Sequence, residues 1–422
     1  MSHLSQTRNT SRAGMILLFV LSVYVGCGRD SKKPQLTVEE LQVAEKILLF
    51  LGKSERALDK GNFQAALTFA DSVETYGPNL AGVHFLRGLI FSRLNRFEEA
   101  QASYEKVLSI NPDYEQTWYN LGENAYQQEL YRPSLNYFER ELEVKQRPEI
   151  YVSIGLAYAN LYMADSAEWA YLQAVSLDSA HAPAYMYLGE FYKNEGQTEL
   201  ALRHLRLALQ LDPNEITYQY LLGSLLYQVG EFEDAVTNLR LAAVHRPWHH
   251  PSHYKLGMAL NQLGRKKEGQ MHLGTADTLQ QLQVKISRLQ RESQLRPENV
   301  NNWIRLAHAF HLIGRADKAL QNYQIAHMLD PQDLMLHDNV AYLHLLVGDT
   351  TGAISQYQAI LRKDSTRSYT WFNLGLIHAA KGTFRPARRA WQKAVMYNPE
   401  DTTAKRLLEK LPDEKFITYI TE

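Results

Sequence analysis

From Thr37 onward, apolar and polar positions recur with a fixed period, and the pattern predicts helices. The segment EQTWYNLGENAYQQELYRPSLNYF, beginning at Glu115, shows one full period. Its Trp118, Leu121, Gly122 and Phe138 return as Tyr185, Leu188, Gly189 and Leu205, and again as Trp371, Leu374, Gly375 and Trp391. Units begin near residues 47, 81, 115, 148, 182, 216, 250, 300, 334 and 368, with all steps but one of 33 or 34 residues. The chain therefore contains ten repeats.

Two positions in each unit are small. The eighth is Gly in seven units and Ala at Ala307 and Ala341, while the first unit has Ser54 there. The twentieth is Ala, Gly or Ser throughout, as in Ala66 and Ala100. Small residues at fixed places let two helices approach closely. Prolines close many units and are expected to end the second helix of each pair.

This pattern resembles the tetratricopeptide repeat family over residues 47–399. The resemblance implies an all-α fold: a right-handed α-solenoid, or superhelix, of about ten helix-turn-helix repeats, whose first helices line a concave groove. The segment 401–411, DTTAKRLLEKL, is expected to form a C-terminal capping helix.

One step is longer by 16 residues, which follow Ala276. Leu279, Leu282, Ile286 and Leu289 recur there at helical spacing, so the seventh unit's second helix is expected to continue by roughly 24 Å. We expect this extension to divide the chain into an N-terminal lobe of seven repeats, 37–293, and a C-terminal lobe of three repeats, 297–399. The apolar stripe could pack between the lobes, or form a homodimer through the helix around Leu279 to Leu289.

The groove carries the candidate binding residues. In this family the thirteenth position of each unit faces the concave side, and five consecutive units have a carboxamide there. These are Gln127, Asn160, Asn194, Gln228 and Gln262. Tyrosines lie beside this row, namely Tyr119, Tyr126, Tyr220, Tyr227 and Tyr254. Carboxamides both donate and accept hydrogen bonds, so the row could bind successive peptide groups or sugar hydroxyls. The alternative is a solvated helix face on which Asn and Gln bridge neighbouring repeats.

Catalysis, cofactors and metals find little support in the sequence. No phosphate-binding loop, HExxH, GxSxG or paired-carboxylate signature is evident, and repeats occupy nearly all of the chain. His249, His250 and His253 in RPWHHPSHY lie at a repeat junction whose prolines favour a structural turn over a metal site. We therefore expect no enzyme activity, cofactor or bound metal.

Charge and hydropathy narrow the choice of partners. The net charge is -1, which argues against nucleic acid. Arg8 and Arg12 precede an uncharged run of about 14 residues, the size of a signal-peptide core rather than of a membrane span. Residues 1–26 are accordingly predicted to be a signal peptide, and 27–36 a polar tether.

Cys27 is the single cysteine, so it cannot form an internal disulfide. With Val25 and Gly26 before it, Cys27 resembles the lipidated cysteine of bacterial lipoproteins, although Tyr24 departs from that pattern. Cleavage after Gly28 with soluble export, and an uncleaved anchor, are the alternatives. Gly28 after the cysteine favours the outer membrane in a Gram-negative cell.

Together these features predict a non-enzymatic, exported scaffold of the bacterial cell envelope, facing the periplasm. It would bind a protein or peptide in its groove, be held to a membrane by its N-terminal lipid, and serve assembly of an envelope or secretion complex. The alternative is a glycan-handling scaffold in exopolysaccharide export.

Overall fold

The computed structural model describes residues 37–59 and 61–411, and all regular structure within them is helical. The first ten helices are α1 Val38–Asp59, α2 Phe63–Tyr76, α3 Ala81–Arg93, α4 Phe97–Ile110, α5 Thr117–Gln127, α6 Tyr131–Val144, α7 Pro148–Asn160, α8 Ala164–Leu177, α9 Ala182–Asn194 and α10 Thr198–Leu211. The remainder are α11 Ile216–Val229, α12 Phe232–His245, α13 His250–Gln262, α14 Lys266–Leu295, α15 Val300–Leu312, α16 Ala316–Leu329, α17 Leu334–Leu346, α18 Thr350–Lys363, α19 Ser368–Ala380, α20 Phe384–Tyr397 and α21 Thr402–Lys410.

Helices α1 to α20 form ten hairpins, one for each sequence repeat. The chain divides into two compact units between Pro213 and Asn214. The first contains hairpins α1–α2 to α9–α10, and the second contains the other five together with α21. The helical-repeat fold is thereby confirmed within each unit. The division falls elsewhere than the expected boundary near residue 295, and the seven-plus-three arrangement of lobes stays a prediction.

Where the eighth position of a sequence repeat is glycine, the space beside it is filled by one large side chain from the second helix of the same hairpin. A Cβ added to the glycine at this position would collide with that side chain, which lies sixteen residues further along the chain. The pairs are Gly88 with Tyr104, Gly122 with Phe138, Gly155 with Tyr171, Gly189 with Leu205, Gly223 with Leu239, Gly257 with Leu273 and Gly375 with Trp391. Such a close pair lies at the centre of each of these seven hairpins.

The first hairpin departs from this rule at both places. Ser54 occupies the eighth position, and Ala70, sixteen residues later, is correspondingly small. Both are completely buried, and the Ser54 hydroxyl donates a hydrogen bond of 2.7 Å to the carbonyl of Ala66. A larger residue on one helix is therefore matched by a smaller one on the other.

Several junctions between hairpins are tied by a side chain from the fourth position of a unit. A ring N–H of His or Trp donates to the carbonyl of the residue six positions earlier, at 2.8 to 3.4 Å. The five examples are His84 to Pro78, His253 to Pro247, Trp303 to Pro297, His337 to Pro331 and Trp371 to Ser365. Each acceptor carbonyl belongs to the loop between two hairpins, two residues after the preceding helix ends, so these bonds satisfy loop carbonyls and tie the junction.

Helix α14 is 30 residues long and contains the predicted extension. Leu279, Ile286 and Leu289 are buried and share one apolar cluster with Leu306 and Phe310 of α15. The apolar stripe is therefore covered within the second unit, and the homodimer stays a prediction that this packing does not favour.

Candidate functional site

The five carboxamides all lie at the C-terminal end of the first helix in their hairpin, and all are exposed. In the first compact unit, the last residues of α5, α7 and α9 are Gln127, Asn160 and Asn194. In the second unit, Gln262 ends α13 and Gln228 is one residue before the end of α11. Each unit thus presents its part of the row to solvent at equivalent places.

Asn160 is the one member that bridges two repeats. Its Nδ2 donates to the hydroxyl of Tyr126 and to the carbonyl of Leu156, both at 2.8 Å. The other four carboxamides have no hydrogen bond to any residue that the structure describes. The bridging alternative therefore holds for Asn160, whereas Gln127, Asn194, Gln228 and Gln262 keep their donors and acceptors available.

Tyr119 and Tyr126 are half-buried side chains of α5. The start of α5 is fixed by the fully buried Glu141, which accepts from the backbone N–H of Gln116 at 2.7 Å and of Tyr119 at 3.2 Å. The ring of Tyr119 packs against Phe138, with 5.7 Å between centroids. Burial raises the pKa of both tyrosines, which therefore remain neutral hydroxyls.

A carboxyl group that the sequence analysis did not single out lies beside these tyrosines. Glu123 accepts a 2.8 Å hydrogen bond from Ser153, whose hydroxyl is 3.3 Å from that of Tyr119. Burial raises the pKa of Glu123, and the hydrogen bonds from Ser153 and Tyr119 oppose that rise. Among the described residues, no Lys or Arg forms an ion pair with it. Within the described part of the chain, this desolvated carboxyl is held by the hydroxyl groups of Ser153 and Tyr119.

The next but one repeat carries a related group. Glu190 of α9 has a raised pKa, chiefly through burial, and neighbours Tyr187, whose ring stacks on Tyr171 at 6.1 Å. Glu123 and Glu190 both occupy the ninth position of their sequence repeats. This position belongs to the same helix face as the thirteenth position, where the carboxamides lie. Reading the ninth position along the chain would have found them.

The tyrosines of the second unit are engaged with cationic or histidine side chains. Tyr220 meets His249 edge-on at 4.8 Å, Lys255 lies over Tyr227, and Tyr254 stacks on His250 at 6.1 Å while 46% of Tyr254 stays exposed. The ten predicted groove residues therefore have different neighbours in the two compact units: buried carboxyl and hydroxyl groups in the first, and two histidines and Lys255 in the second.

Two of the histidines of RPWHHPSHY are engaged in hydrogen bonds. His253 donates to Pro247, and its other ring nitrogen is 3.1 Å from His272, so both nitrogens are used. The Nδ1 of His249 is 2.7 Å from the hydroxyl of Ser252. No group of three or more His, Cys, Asp or Glu side chains within 37–59 and 61–411 is placed to hold a metal ion.

Cys27 and the predicted signal peptide lie outside the described residues. Among the helices that are described, none has both the length and the hydropathy needed to cross a bilayer.

Comparison with known proteins gives family matches and structural likenesses. A family model described as "TPR repeat" matches residues 88–128, and one described as "Tetratricopeptide repeat" matches residues 182–215. No curated protein matches the chain.

Several solved structures are similar to part of this chain, at low sequence identity. A structure from the functional characterization of Pseudomonas aeruginosa pilF is 15% identical, covering 50% of this chain and 96% of its own, with a TM-score of 0.43. YrrB, described as a TPR protein with an unusual peptide-binding site, is 21% identical over 43% of this chain and 95% of its own, with a TM-score of 0.33. A tetratricopeptide repeat protein from Parabacteroides merdae ATCC 43184 is 18% identical over 62% and 97%, with a TM-score of 0.28.

The ten hairpins, the small residues at the eighth and twentieth positions and the two family models agree with one another. The chain is a helical-repeat protein that contains tetratricopeptide repeats, which the family models match at residues 88–128 and 182–215.

Proposed function

We propose that this protein is a non-enzymatic scaffold that binds an extended segment of a partner polypeptide along the first helices of its hairpins. The coarse part of this statement follows from the family, since tetratricopeptide repeats serve protein interaction. The observation that supports the finer part is the row of exposed carboxamides, four of which have no partner among the described residues.

The chemistry of the row suits a peptide backbone. Each carboxamide can donate to a peptide carbonyl and accept from a peptide N–H, whatever side chains the partner carries. At a net gain of about 0.5–1.5 kcal/mol per hydrogen bond, one bond from each of five such groups contributes about 2.5–7.5 kcal/mol, which is weaker than micromolar binding even before ordering costs. In the first unit, Glu123 accepts but cannot donate when ionised, so an acidic segment would be disfavoured there.

We further propose that the protein is exported and anchored by lipid on Cys27, and that it serves assembly of an envelope or secretion complex. The support is the signal-like run before a lone cysteine. One acyl chain binds a membrane only marginally, at about 0.8 kcal/mol per buried CH₂, so the several chains of a lipoprotein would be needed.

The groove is tested by cross-linking in cells and recovery of partners. The test variant changes Gln127, Asn160, Asn194, Gln228 and Gln262 to Ala. A matched control changes five exposed carboxamides of second helices to Ala, namely Gln101, Gln210, Gln280, Gln321 and Gln392. Partners that disappear only from the test variant, with helical circular dichroism unchanged, support the groove. Equal recovery from both variants contradicts it.

The same experiment separates peptide from glycan. Protease treatment of the lysate should abolish capture of a polypeptide partner, whereas capture that survives protease and is lost on polysaccharide digestion would point to the glycan-handling alternative.

The anchor is tested separately with a clickable fatty acid. Label should appear on the wild type and be absent from Cys27→Ala, and an unlabelled wild type would rule the anchor out.

A further inference from the structure

The last hairpin of the second compact unit adjoins a surface recess of about 500 Å³, whose lining shares no residue with the carboxamide row. Three helices form it: α18 contributes Leu361 and Arg362, α19 contributes Trp371 and Leu374, and α20 contributes Arg389 and Ala390. No Asp or Glu lines it. Gln358, His378 and Pro386 complete the lining, so the recess combines an apolar base with two guanidinium groups and the polar side chains of Gln358 and His378.

The apolar part is formed by two buried side chains and a tryptophan held by a hydrogen bond. Leu374 and Ala390 are buried at its base, 5% and 4% exposed. The Trp371 ring is held by its Nε1–H, which donates to the carbonyl of Ser365 at 2.9 Å. A fixed aromatic wall above an apolar base can accept an apolar side chain without losing side-chain freedom of its own.

The two arginines are exposed, and within the described part of the chain neither forms an ion pair. Other cations nearby are occupied: Arg367 pairs with Asp338 at 2.7 Å, and Lys363 donates to the carbonyl of Pro331 at 2.6 Å. Arg362 and Arg389 thus retain their full capacity to bind a carboxylate.

The surrounding charge has the same sign. From Thr350 to Tyr397 the one acidic residue is Asp364, whereas the cationic residues are Arg362, Lys363, Arg367, Lys381, Arg385, Arg388, Arg389 and Lys393. The whole chain has a net charge of only -1, so this is a local concentration. In the preceding repeat, the residues 34 positions before Arg362 and Arg389 are Met328 and Ser355, which carry no charge.

We propose that this recess is a second docking site, which binds an acidic peptide segment carrying an apolar side chain next to its carboxylates. The apolar side chain enters between Trp371 and Leu374, and the flanking carboxylates pair with Arg362 and Arg389. A peptide fits better than nucleic acid because the volume suits one or two side chains and the base is apolar. This site is independent of the proposed groove and of its ligand.

The test uses the purified full-length protein and two fluorescein-labelled decapeptides, one of Glu and Phe and one of Glu and Ser, followed by fluorescence anisotropy. The first should bind about tenfold more weakly to Arg362→Gln/Arg389→Gln than to wild type. The matched control Arg385→Gln/Lys393→Gln removes the same charge from exposed positions outside the recess, and should stay within about twofold of wild type.

The Glu and Ser peptide should bind wild type at least about fivefold more weakly than the Glu and Phe peptide, because it has no apolar side chain to bury. Equal losses of affinity in the two variants would mean that the positive charge of the whole region attracts the peptide without a specific site. Equal binding of the two peptides by the wild type would mean that the recess does not accept an apolar side chain. Tighter binding of an oligonucleotide of equal charge, or no binding of either peptide, would overturn the proposal. The variant lacking the five groove carboxamides should bind the Glu and Phe peptide as wild type does, which keeps the two sites distinguishable.

Discussion

Asn160 donates a 2.8 Å hydrogen bond to the hydroxyl of Tyr126, and this contact joins the first helices of two neighbouring repeats. This hydrogen bond lies on the same helix face as the exposed carboxamides. A ligand bound to that face would either displace the bond or add further contacts beside it. Asn160 differs in this respect from the other four members of the row.

Removing the acceptor tests how much that bridge contributes. Tyr126→Phe should lower the free energy of unfolding by about 0.5–1 kcal/mol, because one partly exposed hydrogen bond is lost while the ring stays packed. Urea unfolding followed by circular dichroism measures this. Tyr158→Phe is the matched control, since the hydroxyl of Tyr158 has no described partner, and a loss equal to that of Tyr126→Phe would show that the bridge contributes nothing.

The raised pKa of Glu123 predicts a pH-dependent stability. A carboxyl whose pKa is higher in the folded than in the unfolded protein binds a proton more tightly when folded, so stability falls as pH rises from about 4.5 through the folded pKa. Glu123→Gln keeps an acceptor for Ser153 and removes the charge. Its melting temperature at pH 7 should exceed that of wild type by about 1–3 °C, and the difference should vanish near pH 4. A lower melting temperature at pH 7 would contradict this account.

His249 predicts the opposite dependence in the second unit. Burial, aided by the positive charge of Arg246, lowers the pKa of His249 to about 4. The unfolded chain takes up a proton near pH 6.5 while the folded one does not, so stability is lost as pH falls from about 6.5 toward 4. His249→Asn retains an acceptor toward Ser252 without titrating there. Melting temperatures measured between pH 7 and 5 should fall less steeply for this variant, and parallel curves would exclude the assignment.

The close glycine pairs predict a large cost for a single methyl group. In Gly375→Ala the new Cβ meets the Trp391 ring, which is 2% exposed and is held by a hydrogen bond to the carbonyl of Phe372, so the free energy of unfolding should drop by about 1–3 kcal/mol. Gly274→Ala is the control: Gly274 lies inside α14 with open space around its Cα, and Ala there should stabilise by about 0.5–1 kcal/mol. Equal effects in urea unfolding would mean that helix propensity alone decides both.

The repeats could be predicted because the spacing of Gly, Ala and Trp encodes helix contacts that are close along the chain. The environment of Glu123 could not be predicted from the sequence, because it depends on Ser153 and Tyr119, which are brought together from adjacent hairpins. The bridging of Asn160 to Tyr126 was foreseen as a general alternative for the row, but which member would bridge depends on side-chain reach that spacing does not give.

The fourth-position side chains show the same limit. The sequence placed His253 at a structural turn, but nothing in one copy indicates a hydrogen bond to Pro247. Comparison of His84, His337, Trp303 and Trp371 at the same position shows the shared feature, a ring N–H that reaches back six residues. Alignment of a chain's own repeats can therefore reveal what a single motif cannot.

The differing partners of the eighth position also bear on how so repetitive a chain avoids mispairing while it folds. Twenty similar helices offer many wrong neighbours, which is a known route to domain-swapped and trapped states. Trp391 fits opposite Gly375, whereas Ser54 is matched by the small Ala70. An exchange of second helices between these two hairpins would leave a void in one and a collision in the other, so the eighth position discourages this particular mispairing.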